Sequence, residues 1–71
     1  MNTVPFNNEA EQSLLGSVFL DNQVMTEIAD KVYPEYFYQI RHQILFRVFL
    51  ELYEESKPID ITTVSTKLKD K

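Results

Sequence analysis

The sequence predicts an all-α fold: a compact bundle of about four short-to-medium helices in one domain. Three observations carry this. Apolar residues recur at three- and four-residue spacing in successive runs along the 71-residue chain. Short polar side chains that suit helix starts stand before most of those runs, at Asn7 or Asn8, at Asn22 and at Asp60. Pro34 and Pro58 break the pattern between them, and glycine occurs once, at Gly16.

Taken in order, residues 1–6 read as an extended lead-in in which Pro5 sets the local geometry. Asn7 or Asn8 then offers an N-cap. With Asn8 as the cap, Glu11 falls at N3 as a variant of the capping box. Glu9 and Glu11 put negative charge in a first turn, where the helix dipole favours it. Ala10, Leu14, Leu15, Val18 and Phe19 follow the helical period, so a first helix is expected over 8–20. Asp21 and Asn22 stop it and start the next. Val24, Met25, Ile28, Ala29 and Val32 form one apolar face, which predicts a second helix over 22–33 closed by Pro34.

Pro34 also suits the first turn of a third helix. That helix is expected over 35–55, with a short turn around Tyr36 and Phe37 before its main part begins near residue 39. Its stripe is Phe37, Ile40, Ile44, Leu45, Val48, Phe49 and Leu52. Ser56, Lys57 and Pro58 end it. Asp60 then caps a fourth helix over 60–70. Ile59 packs on Val64 as a hydrophobic staple, and Ile61, Val64 and Leu68 give the apolar face. The β-branched Thr62 and Thr63 would suit a strand, but the staple and the spacing favour helix.

Composition excludes several classes. There is no cysteine, so no disulfide and no thiolate metal site, which fits a cytosolic protein. The single histidine, His42, lacks partners for a zinc site. One glycine leaves no room for a phosphate-binding glycine-rich loop. No stretch reaches the ~18 apolar residues of a membrane span, and the N-terminus has no signal-peptide pattern. The net charge of −4, with Arg41 and Arg47 six apart, disfavours a nucleic-acid surface. Glu51, Glu54 and Glu55 read as a solvated helix face. No catalytic, cofactor-binding or metal-binding residue is expected.

Further residues carry structural or interface expectations. His42 lies at i+4 from Tyr38 and i−4 from Phe46, on one helix edge, and reads as a packing histidine with a satisfied ring N–H. Gly16 costs about 1 kcal/mol relative to alanine inside a helix. Two readings explain it: a tight crossing of the first and third helices, or close approach of another subunit. The tyrosines are the interface candidates. Tyr33, Tyr36, Phe37 and Tyr38 cluster around Pro34 and cannot all turn to one small core. Tyrosine favours interfaces because a large contact area carries a polar handle. Tyr33, Tyr36 and Tyr38, with Tyr53 later in the third helix, are therefore the expected contacts.

Three blocks in order resemble the N-terminal domain of DnaB-type replicative DNA helicases. VPFNNEAEQSLLGSVFLD resembles that family's opening, in which a proline and a polar cap precede E-A-E-Q-x-[VL]-L-G. YPEYFYQIRHQILF resembles P-x-x-F-Y-x-x-x-H-x-x-I-F through Pro34, Phe37, Tyr38, His42, Leu45 and Phe46, with Leu45 where isoleucine is usual. KPIDITTVSTKL is similar to x-P-[VI]-D-[LIV]-x-T-[VL]-x-x-x-L through Pro58, Asp60, Thr63, Val64 and Leu68.

The resemblance implies an all-helical domain without catalytic residues. It implies self-association, a dimer or higher and a hexamer in the full-length family, and docking of primase and of a helicase loader. ATP and Mg2+ are implied only for a separate RecA-like motor domain, which also contacts the DNA. A cytoplasmic protein, bacterial or phage-encoded, is implied. The family pattern runs on past the counterpart of Leu68 into a glycine-rich turn and a helical hairpin, whereas this sequence stops at Lys71. The alternative is a stand-alone helical adaptor of phage or plasmid type that competes for the same partners. Within the family pattern, a tight crossing inside the compact subdomain is the economical reason for Gly16. Gly16→Leu is then expected to overpack that crossing and cost about 1–3 kcal/mol.

Overall fold

In the computed structural model, which describes residues 7–70, the chain is all-helical, with no strand among the described residues. Helix α1 spans Asn8–Leu20, α2 Val24–Ile28, α3 Ile40–Glu54 and α4 Ile61–Lys69, and a single 3-10 turn covers Pro34–Tyr36. The lead-in around Pro5 lies outside the described residues.

Helix α1 takes its cap one residue earlier than the Asn8 reading. Asn7 is extended, and its side-chain oxygen accepts from the N–H groups of Glu9 at 2.8 Å and Ala10 at 3.2 Å. Glu11 consequently sits one place deeper, inside the helix, and it is buried.

Helix α2 is much shorter than the expected 22–33. It keeps five residues, after which the N–H groups of Lys31 and Val32 both turn back onto the Ile28 carbonyl. Pro34 holds Tyr33 extended, which ends any helix before it. Met25 is fully buried, and Val24, Ile28, Ala29 and Val32 pack around the core's edge. Asn22 does not cap α2. Its side chain instead donates to the Val18 carbonyl at 2.7 Å and the Ile59 carbonyl at 3.0 Å, and accepts from the Ile59 N–H at 2.8 Å.

The third element is not one helix over 35–55. Pro34–Tyr36 make the 3-10 turn, Phe37 and Gln39 are extended, and α3 begins at Ile40. Its buried face is rotated from the expected stripe. His42, Phe46, Val48, Phe49 and Leu52 point inward, while Ile40 and Ile44 are exposed. Tyr38 precedes the helix, so it does not share an edge with His42 and Phe46. Phe37 is buried and packs on Phe46 with ring centroids 5.3 Å apart. Phe19 meets Phe49 edge to face at 5.2 Å, which ties α1 to α3.

Helix α3 ends in a Schellman-type turn. The Ser56 N–H donates to the Tyr53 carbonyl and the Lys57 N–H to the Leu52 carbonyl. This places Ser56 at φ 58°, the left-handed region. Glycine carries no Cβ penalty there. Ser56→Gly is therefore expected to stabilise the domain by about 0.5–1 kcal/mol, read as a raised melting temperature.

Asp60 caps α4 with a reciprocal pair. Its carboxylate accepts from the Thr63 N–H at 2.9 Å, and the Thr63 hydroxyl oxygen accepts from the Asp60 N–H at 3.0 Å. The staple residues Ile59 and Val64 both enter the core. The expected face is only partly inward, since Ile61 and Leu68 are exposed and Val64 alone is buried. Lys67 takes the flanking place and reaches Glu55, just past the end of α3, at 2.6 Å.

Gly16 is not at a tight crossing. A Cβ built there meets nothing within 4 Å, so the close backbone approach on which the expected cost of Gly16→Leu rested is absent. Only the helix-propensity cost of the glycine remains. Gly16→Ala is expected to raise stability by about 0.5–1 kcal/mol, measured as a higher denaturant midpoint at unchanged slope.

Candidate functional site

The 3-10 turn and the link into α3 present a run of exposed aromatic and aliphatic side chains. Pro34 starts the turn, and Phe37 anchors it by burying its ring. That leaves Tyr33 and Tyr36 outside, their rings edge to face at 5.3 Å. Tyr38 follows at 69% exposure and Ile40 at 65%, with Ile44 exposed one helical turn further along. Tyr53 is also exposed, but it stands in the last turn of α3. The structure thus groups Tyr33, Tyr36 and Tyr38 on one stretch of chain, together with two isoleucines the sequence pattern assigned to the core. Tyr53 is set apart from them along the helix.

Besides the Phe37 anchor, a buried carboxylate bonds the link into α3. Glu11 of α1 is 7% exposed and His42 of α3 is 3% exposed. His42 Nδ1 lies 2.6 Å from Glu11 Oε1. The Tyr38 N–H donates to Oε2 at 2.6 Å, and the Gln39 N–H reaches Oε1 at 3.4 Å. Helix α3 has no side-chain cap of its own. The carboxylate from α1 stands at its N-terminus instead, where negative charge is favourable. Burial by itself pushes this carboxyl up. The hydrogen bond with His42, those from Tyr38 and Gln39, and the attraction of His42 outweigh it and hold Glu11 below its ordinary value. An ionised carboxylate only accepts, so His42 Nδ1 carries the hydrogen and donates it. Beside this pair, Arg41 donates to the Asn8 side-chain oxygen at 3.3 Å.

His42 is thus a packed, satisfied histidine, and its partner is a residue that sequence spacing read as a first-turn charge. The two are 31 residues apart, so no periodicity links them. The role of Asn22 escapes sequence reasoning for the same reason, its bonds to Ile59 spanning 37 residues. Among the described residues, no three His, Asp or Glu side chains gather as a metal site would require. No helix there is long and apolar enough to cross a membrane.

Comparison with known proteins gives one consistent match. The model of the DnaB-like helicase N terminal domain matches residues 3–71. The chain is 38% identical over 68 residues to a replicative DNA helicase DnaB of Buchnera aphidicola, covering 96% of this chain and 15% of that protein. It is 36% identical over 64 residues to the replicative DNA helicase DnaC of Bacillus subtilis, covering 90% of this chain and 14% of the relative. The replicative helicase DnaB of Geobacillus stearothermophilus is 38% identical over the same length, again at 14% of its own chain. A match along nearly the whole sequence, joined to an all-helical architecture, places this chain in the family of DnaB-like helicase N-terminal domains.

Proposed function

We propose that this segment is an oligomerisation and protein-docking domain of a replicative DNA helicase. It brings ring subunits together and gives primase, or a helicase loader, a place to bind. One observation carries the reading: the exposed run Tyr33, Tyr36, Tyr38, Ile40 and Ile44, beside a core that closes without it. Apolar and tyrosine surface gathered in this way suits a protein partner. The chain spans about a seventh of the relatives' length. In this proposal, ATP and Mg2+ binding and movement along DNA belong to the rest of such a protein.

The test is association with the fold held constant. Single alanine variants at Tyr33, Tyr36, Tyr38 and Tyr53 are compared by sedimentation velocity for self-association, and by calorimetric titration with a purified primase. Anchor tyrosines at an interface are expected to weaken binding by about tenfold or more. Unchanged association in all four variants, with native circular dichroism, overturns the reading.

A further inference from the structure

The first half of α3 is basic in a chain whose net charge is −4. Ile40 and Ile44 stand one helical turn apart there, and both are exposed. Arg41 and Arg47 are exposed as well, and they are the only arginines in the chain. By the helical period Arg41 falls on one side of the Ile40–Ile44 line and Arg47 on the other. No acidic residue occurs between Glu35, in the 3-10 turn, and Glu51, whose carboxylate lies 3.6 Å from the Lys67 amine. Arg41 donates to the neutral side chain of Asn8, and neither arginine forms an ion pair among the described residues. Glu11 faces the start of α3 from α1, but its oxygens are taken by Tyr38, Gln39 and His42. We infer that this face docks an acidic amphipathic helix of a partner protein, whose apolar stripe covers Ile40 and Ile44 and whose flanking carboxylates pair with Arg41 and Arg47. The inference rests on the docking function proposed above and names the chemistry of the partner.

Shape sets the kind of segment. Two aliphatic side chains at i and i+4 form a ridge, and such a ridge packs into the groove between side chains of a second helix. Pairing with an extended peptide would need a strand edge, and the described residues contain no strand. Charge sets the composition of the docked helix. An exposed ion pair contributes little on its own, but a helix seated on the isoleucines brings its flanks beside both arginines. Acidic flanks are then attracted and basic flanks repelled, which selects among partners more than it adds affinity. A second copy of this chain fits poorly. A two-fold pairing that buries Ile40 and Ile44 against their own copies sets arginine against arginine, because Arg41 lies between them in the chain. Single-stranded nucleic acid also fits poorly. Its bases stack on aromatic rings, whereas the side chains between these two arginines on the surface are aliphatic.

The probes are synthetic helices of about 18 residues, each held helical by a lactam bridge on its outer face. All carry the same leucine stripe, flanked in turn by glutamate, glutamine or lysine. Each is titrated into the isotope-labelled chain at low salt, and amide shifts report both place and affinity. The glutamate helix is expected to bind about tenfold or more tighter than the glutamine helix, with its largest shifts at Ile40, Arg41, Ile44 and Arg47. The lysine helix is expected to bind weakest, and added salt to narrow the gap. Ile44→Gln, a change at the surface, is expected to weaken the glutamate and glutamine helices alike. A variant with both Arg41→Gln and Arg47→Gln is expected to lose the preference between them. The inference is overturned by equal binding of those two helices, by shifts centred elsewhere, by a preference that survives the arginine variant, or by no binding of the glutamate helix. Self-association of the chain that Ile44→Gln abolishes also overturns it, because the occupant is then a second copy. So does a thymine oligonucleotide that binds the same residues more tightly than the glutamate helix. Equal binding of the glutamate and glutamine helices strikes the charge rule and leaves the docking surface standing. That surface fails separately, through unchanged association of the tyrosine variants.

Discussion

Glu11→Ala is expected to destabilise the domain by about 2–4 kcal/mol. Hydrogen bonds to a charged group are worth more than neutral ones, and here one buried carboxylate satisfies a ring N–H and two backbone N–H groups. A domain of this size holds only some 4–10 kcal/mol in total, so such a loss takes a large share of it. The measurement is urea unfolding at neutral pH, and a loss below the error of the extrapolation would show that the pair is dispensable. The pH dependence has a definite sign. The folded-state value of Glu11 lies below its ordinary value of 4.5. Between the two, the unfolded chain binds more protons than the folded one, so stability rises with pH there. The contribution is fully present above about pH 4.5 and is lost as pH falls through the lower folded value. Glu11→Gln should flatten that part of the stability profile.

Asn22→Leu is expected to cost about 2–3 kcal/mol. Leucine keeps the volume and removes the amide, so the result isolates the hydrogen bonds. Three are lost at once: two carbonyls, Val18 and Ile59, lose their donor, and the Ile59 N–H loses its acceptor. Ile59 and Val18 are both in the core cluster, where water cannot easily take over. Asn22→Asp is a sharper companion, because a carboxylate can accept from the Ile59 N–H but cannot donate to either carbonyl. A denaturant midpoint in Asn22→Leu equal to wild type would mean that solvent reaches these groups.

The parts of the fold legible in the sequence are those set by local chemistry. Helix α4 starts where Asp60 and Thr63 can bond each other, within three residues. Helix α1 covers the 8–20 span that its apolar period and polar start indicated. The failures arise where tertiary contacts override the period. Val32 keeps helical spacing with Val24 and Ile28, yet it packs from a turn, because Pro34 has already claimed the backbone before it. Ile40 and Ile44 fit an apolar stripe as well as Phe46 and Phe49 do. Tertiary docking, of His42 onto Glu11, Phe46 onto Phe37 and Phe49 onto Phe19 among others, chooses which face turns inward. Of the candidate surface, the tyrosine cluster was visible as composition around a proline. Glu11 was not, since a glutamate in a first turn reads as solvated until its partners on another helix are known.

The division of aromatic residues has an optical consequence. The chain has no tryptophan, and its four tyrosines are all exposed, whereas the rings inside the core are phenylalanines. Intrinsic tyrosine emission therefore comes from the outer surface in both the folded and the unfolded chain. It is a poor signal for unfolding and a direct one for anything that covers Tyr33, Tyr36 and Tyr38, so a partner without tryptophan can be titrated with no label attached.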